Sequence, residues 1–199
     1  MLNKQDLEKA LNLLGKRLEL ENTEPFEIVV CGGSALIITG LINRVFTKDV
    51  DLIGFISKTD NGEFIFDEYN KLPEIFEKTV KQVALDLGLS NDWLNTGPKD
   101  LVKQGLPQGL ISRLQPKQYG SKLTVHFISR IDQIYFKVYA SVDSGPGRHV
   151  DDLLELKPTS AEIEGAAKWA LTQDPSGNFK QILKDMLEKL GYGPVVKRI

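Results

Sequence analysis

Two short stretches of the sequence have the residue types and the spacing for phosphate chemistry. Gly32, Gly33 and Ser34 end an apolar run, and Asp49 and Asp51 follow as Asp-Val-Asp. Glycines at a strand end let a phosphate approach backbone N–H groups, and a following helix N-terminus adds a favourable dipole. Two carboxylates on one strand face repel unless a cation lies between them, and Mg²⁺ takes carboxylate and phosphate oxygens. Together the stretches predict a phosphoryl- or nucleotidyl-transfer site.

Each stretch alone also has a structural interpretation. Gly-Gly-Ser is a common strand-to-helix turn, and an Asp-x-Asp pair usually lies at a solvated strand end. Their order within one strand–turn–helix–strand unit favours the functional interpretation. The stretch is not a P-loop, because no Gly-Lys-Ser/Thr follows, and it is not a Rossmann fingerprint, because the third glycine is missing.

Four local patterns predict the elements that position these residues. FEIVVC, residues 26–31, predicts a buried strand, and SALIITGLI, residues 34–42, predicts an apolar helix with Ser34 as its N-cap. KDVDLIGFI, residues 48–56, predicts a second strand in which alternation places the two acids on one face. The Asn-Gly of DNGEF, residues 60–64, predicts a tight turn that leads into a third strand.

The rest of the chain predicts mostly helices. Leucines recur on one face of a helix over residues 3–20, and the turn-rich segment after residue 87 predicts a loop with short helical pieces. TSAE, residues 159–162, matches a capping box, and KLTVHFI, residues 122–128, alternates as a strand does. Further helices are predicted over residues 72–87, 132–143, 159–171 and 179–190, with a flexible SGPGR at residues 144–148.

These elements predict an α+β fold, with a mixed β-sheet core flanked by helices and a helical C-terminal part. We expect the core with its N-terminal helix to cover residues 1–143. The helical part, residues 144–199, is expected to pack on that core as one compact unit. A chain of 199 residues is long enough for such a core.

Composition excludes several function classes. A net charge of -2 and a pI near 5.8 provide no overall positive field for nucleic acid. The single cysteine, Cys31, excludes an internal disulfide and a multi-cysteine zinc site, and it suits a reducing cytoplasm. The charged start MLNKQDLEKALN predicts a helix rather than a signal peptide. The most apolar run, residues 28–42, is shorter than a membrane helix requires, so we expect a cytoplasmic protein without a membrane partner.

The acid pair and the glycine turn, together with Arg44, Thr47, Val50 and Leu52, resemble the signature of nucleotidyltransferase-fold proteins of the polymerase-beta type. More narrowly, they resemble bacterial abortive-infection (AbiEii-like) and minimal nucleotidyltransferases, some of which are toxin–antitoxin components. NDWLN at residues 91–95, the lysine of IYFKVYA and GRHVDDLLELKPTSAEI are similar to segments of the same group. The resemblance covers most of the chain between residues 28 and 170.

This resemblance implies that the glycine turn holds a nucleoside triphosphate. Gly33 and Ser34 would contact the β- and γ-phosphates, with Gly32 in the same turn, while Asp49 and Asp51 would hold one or two Mg²⁺ ions. An acceptor hydroxyl, on a protein or at an RNA 3′ end, would attack the α-phosphorus in line and release pyrophosphate. The metals would lower the pKa of that hydroxyl and neutralise charge on the leaving group.

One departure from the family pattern concerns a third carboxylate, which active members usually supply from a later strand. The best candidate strand here, KLTVHFI, contains no acid. Either His126 occupies the place of that acid, or Asp132 folds back from beyond the strand. The other alternative is a site that binds nucleotide or metal weakly and catalyses little.

Two basic residues are further candidates for nucleotide binding. Lys137 lies at the edge of an apolar helical stripe, from which it would contact the triphosphate, as the resemblance suggests, or extend into solvent as a surface lysine. Arg44 precedes the acids and would contact a phosphate, pair with Asp49 or form another structural ion pair.

Three functions follow from these observations. The first is a Mg²⁺-dependent nucleotidyltransferase that uses ATP, CTP or a relative. The second is a catalytically degenerate binding module, such as an antitoxin-like subunit that pairs with a protein from a neighbouring gene. The third is a structural α+β domain whose two acids are merely solvated.

Overall fold

The computed structural model describes residues 1–67, 71–145 and 147–199, so Pro146 in the predicted flexible SGPGR segment lies outside the described residues. The chain divides into two compact units. The first comprises Met1–Lys103 and Gly109–Ile128, and the second comprises Gln104–Gln108 and Ser129–Ile199. None of the helices in the described ranges is both long and apolar enough to cross a bilayer.

The first unit is built on a mixed six-stranded sheet in the described part of the chain. The strands are β1 Phe26–Cys31, β2 Val50–Lys58, β3 Phe64–Phe66, β4 Leu94–Asn95, β5 Gln115–Gln118 and β6 Leu123–Phe127. The central strand β1 is parallel to β6 and antiparallel to β2. The order along the sheet is β3-β2-β1-β6-β5, and β4 pairs with β2 off this path.

Helices cover the apolar face of this sheet. The predicted leucine stripe is confirmed in the first helix, α1 (Lys4–Leu20). Its residues Leu7, Leu11, Leu14 and Leu18 are fully buried in a cluster with core residues of β1, β2 and β6. Asn3 caps this helix in a capping box with Asp6. The helices before residue 129 are α1 Lys4–Leu20, α2 Gly32–Thr39, α3 Glu74–Leu87 and α4 Asp100–Gln104, with 3-10 turns at Gly97–Lys99 and Ile111–Arg113.

The predicted turn after β2 is also confirmed. Thr59 N–H donates to the carbonyl of Glu63 at 2.8 Å, and Gly62 has φ of 79°, which suits glycine. The turn returns the chain into β3, which pairs antiparallel with β2. Together α2 and this hairpin connect three strands as the sequence predicted.

The second unit is helical, which confirms the helical C-terminal part of the predicted α+β fold. The predicted capping box is present, because Thr159 and Glu162 bond each other's backbone N–H groups. The carbonyl of Gly105 accepts hydrogen bonds from Trp169 Nε1 and Gln173 Nε2, each at 3.0 Å. The helices are α5 Arg130–Asp143, α6 Arg148–Glu155, α7 Ser160–Gln173, α8 Gly177–Lys189 and α9 Gly193–Val196.

Candidate functional site

The glycine turn connects β1 directly to α2. Gly32 has φ of 69°, a left-handed conformation that residues with a Cβ rarely adopt. Cys31 is the N-cap residue of α2, and its side chain makes no capping hydrogen bond. Because the first N–H groups of an α-helix have no acceptor inside the helix, the turn offers backbone donors and the positive end of the helix dipole to an anion.

The prediction that Ser34 is the N-cap is wrong, because α2 begins ahead of it at Gly32. Ser34 therefore lies in the first helical turn, where it is fully buried. Its hydroxyl donates to the carbonyl oxygen of Cys31 at 3.4 Å. Since the Oγ proton is used within the turn, a phosphate contact at this residue would involve its backbone N–H.

Asp51 lies directly against the glycine turn. It is opposite Cys31 in the antiparallel pair of β1 and β2, and its neighbours Val50 and Leu52 are fully buried in the core. Strand alternation therefore places Asp51 on the opposite face of the sheet. A Cβ at Gly32 would overlap with Oδ2 of Asp51. The missing side chain of Gly32 thus makes room for this carboxylate.

Gly33 likewise makes room for two side chains, those of Arg44 and Thr47, which lie between α2 and β2. A Cβ at Gly33 would overlap with a terminal guanidinium nitrogen of Arg44 and lie 2.7 Å from Oγ1 of Thr47. A β-bridge to Leu2 holds Thr47, because its carbonyl accepts from the Leu2 N–H at 2.7 Å. The N-terminal turn of α2 is therefore covered by a cation and a hydroxyl, which are groups that bind phosphate oxygens.

Asp49 lies just before β2, because that strand begins at Val50 and not at Lys48 as predicted. Asp49 is half-buried, and the hydroxyl of Thr47 donates to its backbone carbonyl at 3.4 Å. Within residues 1–67, 71–145 and 147–199, no hydrogen bond or ion pair involves its carboxylate. This acid is therefore available for a ligand.

Asn95 on β4 orients the carboxylate of Asp51. The two residues are partners in the parallel pair of β2 and β4, and Nδ2 of Asn95 donates to Oδ1 of Asp51 at 3.5 Å. The amide oxygen of Asn95 accepts from the Gly97 N–H at 2.9 Å. Because that bond identifies the oxygen end of the amide, the NH₂ end must face Asp51. Asn95 ends the NDWLN segment, but it was not a sequence candidate for the site.

The donors at this site fit a divalent cation that is shared with phosphates. Across the described residues, no group of three or more His, Cys, Asp or Glu side chains is placed to hold a metal. Mg²⁺ nevertheless binds through one or two carboxylates, with waters and substrate phosphates as its other ligands. Because Gly32 has no side chain, the Asp51 carboxylate lies beside the backbone N–H donors of the glycine turn, which can bind a phosphate. Asp49 and Asp51 therefore suit Mg²⁺ that arrives with a phosphorylated ligand.

The third carboxylate is absent from β6, all of whose residues are described. The parallel register pairs His126 with Val29, which puts Ile128 and not His126 level with Asp51 across the sheet. Ile128 is apolar and fully buried. His126 instead bonds the carboxylate of Glu27 through Nε2. The expectation that His126 occupies the place of the missing acid is therefore wrong.

Asp132, the other candidate for this role, lies in the first turn of α5 in the second unit. It is fully buried and accepts a hydrogen bond from the Ser129 hydroxyl at 2.6 Å. Ser129 is the N-cap of α5, and its Oγ also accepts from the Asp132 N–H. Asp132 thus takes part in the cap of its own helix.

Lys137 is also on α5, and it is not the surface lysine that one alternative expected. Its side chain is buried, and its Nζ lies 2.7 Å from Oδ2 of Asp152, a buried residue of α6. A charge pair excluded from water in this way is strongly coupled, because removal of either partner leaves an uncompensated buried charge. The contact of Lys137 with a triphosphate stays a prediction.

Comparison with known families gives one match. A family model described as "Nucleotidyltransferase of unknown function (DUF6036)" matches residues 7–146, which is more than half of the chain. The matched range contains the glycine turn, both acids, Arg44 and Lys137. No curated protein and no solved structure matches the chain.

Proposed function

The chain belongs to this family of nucleotidyltransferases, and from that premise we propose that it transfers a nucleoside monophosphate from a nucleoside triphosphate to a hydroxyl group. The glycine turn, Gly32 to Ser34, binds the triphosphate, and Asp49 and Asp51 hold Mg²⁺. The acceptor is a protein or an RNA. The reducing cytoplasm expected from the single cysteine is the proposed location.

The observation that carries this proposal is that strand β2 and the loop before it both place side chains against one helix N-terminus. Asp51 lies against Gly32, and Arg44 and Thr47 lie against Gly33, so that each glycine is required by a different functional group. A structural strand-to-helix turn has no need for an acid, a guanidinium and two glycines in contact. An anion next to a divalent cation accounts for all of them.

Each residue has a role that follows from its position. The N–H groups at the start of α2 donate hydrogen bonds to phosphate oxygens, and Arg44 adds a positive charge beside them. Asn95 holds the Asp51 carboxylate in one orientation through its NH₂ group. When bound, Mg²⁺ supplies charge neutralisation at the phosphates and a lower pKa for a coordinated hydroxyl.

A labelled-nucleotide assay tests this function. Purified protein is incubated with each α-³²P-labelled nucleoside triphosphate, Mg²⁺ and a lysate as the source of acceptors. The wild type should transfer label, and Asp49→Asn and Asp51→Asn should reduce transfer by about a hundredfold or more, because each loses a metal ligand. Asp60→Asn, in the exposed turn after β2, is the charge-matched control and should behave as the wild type. Transfer that survives in Asp51→Asn excludes the proposal.

A second candidate is a degenerate binding module, and one observation specifically favours it. The position level with Asp51 is the buried apolar Ile128, directly after β6, and β6 itself contains no acid that could activate an acceptor. In this case the chain acts as a partner subunit in a toxin–antitoxin or abortive-infection system, the setting that the AbiEii-like resemblance implies. Mg²⁺-dependent nucleotide binding without label transfer, together with a stable complex with the product of a neighbouring gene, would favour this candidate.

A further inference from the structure

The first unit contains a cavity of about 590 Å³ apart from the acid pair. The turn between β2 and β3, the 3-10 turn Ile111–Arg113 and strands β5 and β6 supply its walls. Its lining, in the described part of the chain, includes neither the glycine turn nor Asp49 or Asp51. A cavity of this size is within the range of small-molecule sites and can hold a group as large as a nucleoside.

Most of the cavity wall is apolar. The ring of Phe64 lies 5.3 Å from the ring of His126 between centroids, at an interplanar angle of 66°. This edge-on arrangement is favourable for aromatic rings, and a planar ligand can make the same contacts with both. The apolar side chains in the wall are Phe64, Ile111, Leu114 and Pro116.

Three polar side chains in the wall, those of Glu63, Ser112 and His126, offer hydrogen-bond acceptors. His126 is 4% exposed, and its Nε2 must donate to Glu27, because a carboxylate oxygen only accepts. In the neutral ring Nδ1 is then an acceptor, and none of the described residues bonds to it. The hydroxyl proton of Ser112 is used on the Gly109 carbonyl at 2.8 Å, which leaves its lone pairs. Glu63 adds a carboxylate, so a ligand here must bring donors.

We propose that this cavity binds the heteroaromatic base of a nucleotide, with an exocyclic amino group of the base donating to Nδ1 of His126. The inference rests on the proposed function, in which the glycine turn binds the triphosphate of the same molecule. Apolar walls suit the flat ring, and the row of acceptors suits its N–H groups. The carboxylates of Glu27 and Glu63 disfavour phosphate in the cavity, because like charges repel.

Matched nucleosides test the role of the amino group. Calorimetric titration compares adenosine with purine riboside, which has the same ring and lacks only the 6-amino group. Adenosine should bind about fivefold more tightly, the equivalent of one net hydrogen bond, and cytidine should likewise bind more tightly than uridine. Equal affinity of the wild type for both members of each pair overturns the assignment of the amino group.

Variants test the cavity itself and separate it from the triphosphate site. Phe64→Leu and His126→Phe should weaken ATP binding about tenfold and leave the binding of Mg²⁺-tripolyphosphate unchanged. Ile65→Ala, on the exposed side of the same strand β3, is the control and should change neither affinity. Thermal melting of each variant shows whether it is folded, and Phe64→Leu keeps an apolar side chain in case His126→Phe does not fold.

The outcomes distinguish this inference from the proposed function. If ATP binding depends on Asp51 but not on Phe64 or His126, the cavity assignment is refuted and the proposed function stands. If adenosine binds through Phe64 while ATP binding ignores Asp51 and Mg²⁺, the cavity assignment stands and the proposed function is refuted. Absence of both adenosine and ATP binding refutes both.

Discussion

Replacement of Gly32 by alanine tests whether this glycine exists to make room for Asp51. Two separate costs are expected. A non-glycine residue at φ of 69° costs about 1–2 kcal/mol, and a methyl group forced against Oδ2 of Asp51 costs about a further 1–3 kcal/mol. Gly32→Ala should therefore lower the free energy of unfolding by about 2–5 kcal/mol.

Gly40 at the other end of α2 is a matched control. Its φ is 71°, nearly that of Gly32, but a Cβ there would have no heavy atom within 4 Å. Gly40→Ala should therefore cost only the conformational part, about 1–2 kcal/mol. The difference between the two variants isolates the overlap at Asp51, and denaturant titration of the two proteins measures it.

The same pair of variants has different expected effects on the ligand. Gly32→Ala displaces the Asp51 carboxylate, so it should weaken Mg²⁺-dependent ATP binding about tenfold or more, while Gly40→Ala should leave it unchanged. Calorimetric titration under conditions where both variants are folded measures this. Equal unfolding free energies and equal ATP affinities in the two variants would refute the account of the glycine turn.

Three further predictions concern other contacts. Asn95→Ala should raise the Mg²⁺ concentration for half-maximal label transfer about tenfold, and an unchanged requirement would mean that Asn95 does not orient the acid. Lys137→Met should destabilise the protein by about 3–5 kcal/mol in denaturant titrations, and adding Asp152→Leu should restore most of this; no restoration would speak against a buried charge pair. Hydrogen bonding to Arg130 lowers the pKa of Glu162 below its ordinary 4.5. The contribution of ionised Glu162 to the free energy of unfolding is therefore complete above pH 4.5, and it is lost as the pH falls through the lower pKa of the folded state. Glu162→Gln should therefore destabilise more at pH 7 than at pH 3 in urea titrations, and a loss that is equal at both pH values would contradict this.

The sequence predicted the elements whose patterns are local. The leucine spacing of α1, the capping box at Thr159 and the Asn-Gly turn after β2 each require only neighbouring residues, and each is confirmed. The glycine turn was also located correctly between a strand and a helix. The start of that helix was not located correctly. Serine is a common N-cap residue, but the helix already begins at Gly32, whose backbone is left-handed.

Elements defined by long-range pairing could not be predicted. β4 has only two residues, and its identity as a strand depends on its pairing with β2. β5, with the sequence QPKQ, has no apolar alternation because all four residues are exposed on an edge strand. α6 was missed for a local reason, because it follows a glycine-rich turn that predicted flexibility instead of a helix start. Asn95 was missed as a partner of Asp51 for the same reason as its strand.

Calorimetric titration of ATP with and without Mg²⁺ tests the central claim most directly, using the wild type, Asp51→Asn and the surface control Asp60→Asn. The account predicts tight binding only with Mg²⁺, a loss of at least about tenfold in Asp51→Asn, and no change in Asp60→Asn. Binding that is equally tight after chelation of the metal, or in Asp51→Asn, would contradict it.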